Sequence, residues 1–123
     1  MPEQARKYDL EDRLVKFAIV ILGVCDLLPN SRAANNLEYQ LSKSGTAPAL
    51  MYGEAQAAES RADFIHKMKM LLKELRETRI SLRIIDEKPV IKVAAVETAL
   101  KECNELIGIF TKSIETLKNN RTS

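Results

Sequence analysis

Four separate stretches of the chain repeat apolar residues at alternating steps of three and four, the spacing that lines one face of an α-helix. The first is Leu10, Leu14, Phe17, Ile21, Val24 and Leu28, with Asp9 as the expected N-cap and Pro29-Asn30 as the stop. The second runs Ala34, Leu37, Leu41, Ser44, Pro48, Met51, Ala55 and Ala58, and it keeps register straight across "SGTAP". Unbroken register predicts one helix, kinked where Pro48 removes a backbone donor, while a break at 44–47 stays open as the alternative. The third is Phe64, Met68, Leu71, Leu75, Thr78, Leu82 and Ile85. It follows "SRAD" at 60–63, where the Ser60 hydroxyl can accept from the Asp63 amide as in a capping box, and it ends at "DEKP", 86–89. Val93, Val96, Leu100, Cys103, Ile107, Phe110, Ile114 and Leu117 form the fourth and most regular seam.

Helices at about 9–28, 32–59, 61–87 and 92–118 with short connections must pack antiparallel to their neighbours, and a repeat near 3.5 residues favours a shallow left-handed crossing. The predicted fold is therefore all-α, one left-handed up-down-up-down antiparallel four-helix bundle spanning residues 1–123. Three Phe, three Tyr, no Trp, four Gly and four Pro leave few strand or turn formers, which agrees. A chain of 123 residues buries enough surface to fold without disulfides or a structural metal.

Cys25 and Cys103 sit inside apolar periodic stretches and lack C-x-x-C spacing, so both are expected to fill the core as small hydrophobes. The opening "MPEQARKYDLEDR" lacks the basic-then-apolar order of a signal peptide, and the nine apolar residues 17–25 are too few to span a bilayer. A cytoplasmic protein without a membrane partner is expected. That same segment, "FAIVILGVC", is too apolar for a single seam: Phe17, Ile19, Val20 and Leu22 wrap most of the helix circumference. Either the core stripe is wide or these residues meet another subunit, and large apolar patches are rarely left bare on monomers.

Catalytic constellations are hard to assemble. A di-iron bundle needs four carboxylates and two Glu-x-x-His pairs facing inward, and the chain has one histidine, His66, off the apolar seam. Zinc lacks ligands, no Ser-His-Asp or Cys-His set can form around a solvent-facing His66, and "SGT" at 44–46 is no phosphate loop. Glu54, one step off the second seam, is expected to pair with a Lys or Arg across the bundle. No cofactor, metal or enzymatic activity is expected.

Charge is the remaining signal. Net charge is only +2, yet residues 61–83 carry seven basic side chains against three acidic ones, a local +4. His66, Lys69, Lys73, Arg76, Ile80 and Arg83 repeat at helical spacing opposite the third seam and contain no acid. Such a row suits phosphates strung along a nucleic acid, with Arg61 and Lys67 beside it. It also suits a solvated helix face that keeps the protein soluble, or a scaffold that meets an acidic polypeptide.

Ser44-Gly45-Thr46, Tyr52 and the run "EAQAAESRADFIHKMKMLLKELRET" from Glu54 to Thr78 resemble the signature of the four-helix-bundle proteins encoded within intervening sequences of bacterial 23S ribosomal RNA genes. "DLEDRLVKFAIVIL" and "CNELIGIFTKSIETLK" extend the resemblance over most of the chain. It implies a left-handed bundle assembled as a ring-like homopentamer with a basic surface suspected of binding ribosomal RNA or another nucleic acid. It also implies kinship of fold with the accessory protein of diversity-generating retroelements, which partners a reverse transcriptase. No catalytic set comes with it.

Overall fold

The computed structural model describes residues 2–88 and 93–120, with side chains from residue 10 to 119. Four helices follow in order: α1 (Pro2–Asp26), α2 (Arg32–Gln56), α3 (Arg61–Glu87) and α4 (Ala94–Asn120). Contacts join α1 to α2, α2 to α3, α3 to α4 and α4 to α1, leaving α1 and α3 on one diagonal and α2 and α4 on the other. Directions follow from pairs of touching residues. Between α2 and α3, Lys67 reaches Glu54 while Thr78 meets Ser44, so one index rises as the other falls. Between α3 and α4, Arg61 reaches the Leu117 carbonyl and Cys103 that of Leu75, again in opposite sense. Ile21 lies on Gly45 and Cys25 on Glu38, which makes α1 and α2 antiparallel as well. The molecule is an up-down-up-down bundle.

Caps explain two of the starts. Ser31 and Ser60 both hold extended backbone, and their hydroxyls accept from the amides of Ala34 and Asp63 at 3.1 Å each, satisfying donors that a helix start leaves orphaned. The α1 boundary differs from expectation: the helix runs from Pro2, so Asp9 lies within it instead of capping it. A proline at the first helical position sacrifices no hydrogen bond, and nothing in residues 2–9 breaks the backbone pattern. The expected α4 start at 92, like Pro89, lies outside the described residues. Val93, expected to open the fourth seam, precedes α4 and is exposed, because helical periodicity does not orient a residue outside the helix.

The seams otherwise meet in one core, led by Leu14, Phe17, Ile21, Leu41, Leu71, Leu75, Leu82, Leu106 and Phe110. Among the described residues, Ser44 and Thr78 are the polar residues buried with it. Thr78 Oγ1 lies 2.9 Å from Ser44 Oγ and 2.8 Å from the Glu74 carbonyl oxygen. A carbonyl has no proton, so Thr78 donates to it and Ser44 donates to Thr78; both buried hydroxyls are thereby satisfied. Next to it, a Cβ built on Gly45 would lie 2.5 Å from Ile21 Cγ2 and 2.9 Å from its Cβ, so only glycine lets α1 approach α2 this closely. "SGTAP" is thus no loop. It is helix, continuous through the buried Pro48, whose small and polar residues are contact surface for α1 and α3.

Both cysteines are buried, and burial is the main cause that pushes the Cys25 thiol up to about 11 and the Cys103 thiol up to about 12. They stay protonated and pack as small hydrophobes. Tyr52, quoted above among the residues carrying the resemblance, packs edge-on against Phe110 with ring centroids 6.0 Å apart.

Candidate nucleic-acid interface

The outward face of α3 is fixed by what its inward face buries. Met68, Leu71, Leu75, Thr78, Leu82 and Ile85 point to the core, so residues half a turn away must point to solvent. His66, Lys69, Lys73, Arg76, Ile80 and Arg83 are all exposed, as the spacing predicts. Ile65 is buried while Phe64 is only half-buried, a small rotation at the start of the helix that the seam did not reveal.

Side-chain partners divide the cations into two groups. Arg61, far round the helix, donates to the Leu117 carbonyl of α4 at 2.7 Å. Lys67 lies on the α2 side, half-buried, with Nζ 3.3 Å from Glu54 Oε1; Glu54 therefore makes the cross-bundle pair expected of it, though at an exposed position. Arg83 Nε holds Glu87 Oε2 at 2.7 Å one turn on. His66, Lys69, Lys73 and Arg76 make no hydrogen bond or ion pair among the described residues. The broad stripe from Arg61 to Arg83 thus narrows to a row of four, beside a groove of about 350 Å³ lined by Lys69, Leu72, Lys73, Arg76, Ile80 and one acid, Glu77. Arg79 turns toward α4, where its Nε is buried without a hydrogen-bond partner in the structure.

On the α2 flank of this row, Glu74 and Glu77 share a hydrogen bond. Burial first, then the Glu77 charge and that hydrogen bond, raise the Glu74 carboxyl above its ordinary 4.5, while Lys43 and Lys73 pull the other way.

The outer residues of α1 separate along helical lines. Phe17 does not belong to an outer surface: it is 1% exposed and sits in the core, because 17, 21 and 24 share the inward face. Val20 is half-buried against that core. Ile19, 62% exposed, and Leu22 do face solvent, and Val15 joins them on the same stripe, a residue that attention to "FAIVILGVC" alone left out. Among the described residues there is no group of acids, cysteines and histidine able to hold a metal ion, and no helix long and apolar enough to cross a membrane.

No family model matches the chain, and no curated protein matches it either. Among solved structures, one similar chain is a protein with unknown function from the S23 ribosomal protein family of Bacteroides thetaiotaomicron. The two align at TM-score 0.80 and 28% identity, over 89% of this chain and 97% of that one. At the level of fold this agrees with the resemblance carried by residues 44–78.

Proposed function

We propose that this chain is a non-enzymatic, cytoplasmic four-helix bundle of the 23S rRNA intervening-sequence type that self-associates and binds structured RNA through the outer face of α3. The structural neighbour from the S23 ribosomal protein family supports the kinship. One observation carries the RNA part: His66, Lys69, Lys73 and Arg76 are aligned, exposed and unpaired, whereas Arg61, Lys67 and Arg83 are tied to the protein itself. The flexible cations Lys69, Lys73 and Arg76 meet phosphates without reading bases, so the reading is of backbone recognition and not of sequence. In an oligomer several such rows act together, and avidity exceeds the affinity of one.

The test is a binding titration against a structured RNA at several salt concentrations. Three or so phosphate contacts per row predict a slope of log K against log salt of about −2 to −3 for each protomer engaged. Affinity unchanged between low and high salt contradicts the proposal. A second reading, a scaffold for an acidic polypeptide resembling the retroelement accessory protein, draws on Ile80 and Ile84, which are exposed apolar residues among the cations of α3. Nuclease treatment of a pull-down separates the two, since a protein partner survives it.

A further inference from the structure

Three residues expected in the core stay half-buried, and all three surround one cavity. Leu10 of α1, Phe64 of α3 and Leu117 of α4 line a space of about 560 Å³ at the end of the bundle where α1 and α3 begin and α2 and α4 finish. Met68 and Ile109 add to its apolar wall. Tyr52 lines it too, is 4% exposed, and has no hydrogen-bond partner for its hydroxyl among the described residues. Burial first, then the Glu11 charge, raise that hydroxyl above its ordinary 10.0, so it stays a neutral donor. Lys112 is the charged residue in the described lining; it is exposed and forms no ion pair among the described residues. Two neighbouring donors are already used. Ser113 Oγ donates to the Ile109 carbonyl at 2.9 Å, and the Arg61 guanidinium donates to that of Leu117 at 2.7 Å. Gln56 and Thr116, both exposed, complete the described lining.

We propose that this cavity binds a small aromatic carboxylate that carries a second, uncharged acceptor oxygen. The size suits such a molecule, since ligand sites are clefts of roughly 300 to 1,000 Å³ with mostly apolar walls and a few placed polar groups. Phe64 and Met68 favour an aromatic body, because ring edges and thioether sulfur both pack well against a ring. A buried phenol hydroxyl without a partner costs free energy, which an acceptor oxygen on the ligand offsets. That acceptor is uncharged: burial penalises an anion beside Tyr52, and the charge of Glu11 opposes one. The carboxylate goes instead to Lys112, whose exposed ammonium meets it without being desolvated. The site stands apart from RNA binding, because the cavity shares no described residue with the row from His66 to Arg76.

The experiment titrates the full-length protein, isotopically labelled at its methionine methyls, with para-acetylbenzoate and with para-isopropylbenzoate, which keeps the shape and loses the acceptor oxygen. Met68 lines the cavity, whereas Met70 faces outward on α3 and serves as the internal control. Saturable movement of the Met68 methyl resonance with Met70 unmoved is the expected result for both compounds. Tyr52→Phe keeps the ring against Phe110 and removes only the unbonded hydroxyl, and circular dichroism confirms that it remains folded. It should weaken para-acetylbenzoate roughly fivefold while leaving para-isopropylbenzoate unchanged. Lys112→Ala, at an exposed position, should weaken both carboxylates by up to about fivefold. Absence of a saturable Met68 shift, or equal movement of Met70, overturns the site. An unchanged affinity ratio of the two compounds in Tyr52→Phe, or unchanged affinities in Lys112→Ala, overturns the ligand class.

Discussion

Single residues explain why a sequence poor in helix formers is helical where α2 crosses the bundle. At Gly45, Ile21 occupies the space a methyl group would need. Gly45→Ala therefore opposes two effects: a helix-propensity gain of about 1 kcal/mol and a clash in a packed core that costs about 1 to 3 kcal/mol. Since the clash is with Ile21 Cβ and Cγ atoms close to the backbone, and not with a flexible tip, the clash wins. Urea denaturation is expected to show a net loss of about 1 kcal/mol, and a gain would mean that α1 moves away freely. Glu74 gives a pH-dependent test. Its folded carboxyl is raised above the ordinary value, so the folded state holds its proton more tightly than the unfolded chain does. Ionising it is a penalty borne by the fold at neutral pH, and that penalty is relieved as pH falls through the raised value toward 4.5. Glu74→Gln should accordingly raise the melting temperature at pH 7 to 8 and lose that advantage near pH 4.5. An equal shift at both pH values would assign the effect to packing instead of ionisation.

At the scale of elements, periodicity made the four helices legible because each seam is long and its repeat is unambiguous. "SGTAP" was the place where local and long-range signals disagreed. Ser, Gly and Pro read locally as a break, and what overrides them is the Ser44–Thr78 hydrogen bond to α3 and the Gly45 contact with α1, neither of which exists until the helices pair. That polar pair makes its own prediction. Thr78→Val leaves Ser44 buried without its acceptor and should cost about 1 to 3 kcal/mol, whereas adding Ser44→Ala removes the orphaned group and recovers part of the loss. Additive losses in the double-mutant cycle would mean that the two hydroxyls do not depend on each other. The opposite face of α3 was legible as a basic stripe, but not its division. Whether Lys67 or Lys73 has an acid partner depends on how α2 and α3 are registered, and the sequence of one helix does not contain that. Phe17 was misplaced for a related reason: an all-apolar run such as "FAIVILGVC" has no polar gaps by which to tell its inner from its outer face.

For the whole molecule, the proposed function assigns RNA binding to the unpaired row from His66 to Arg76; overall charge, only +2, would not suggest it. In the proposed function unpaired cations, and not basic residues in general, bind the RNA. RNA affinity at one low salt concentration should be compared between two double variants of equal charge change, Lys69→Glu with Lys73→Glu and Lys67→Glu with Arg83→Glu. Loss of nearly all binding in the first pair and retention of most of it in the second is the predicted result. Equal losses in both pairs would contradict it, because the binding would then follow net charge and not the row that the structure sets apart.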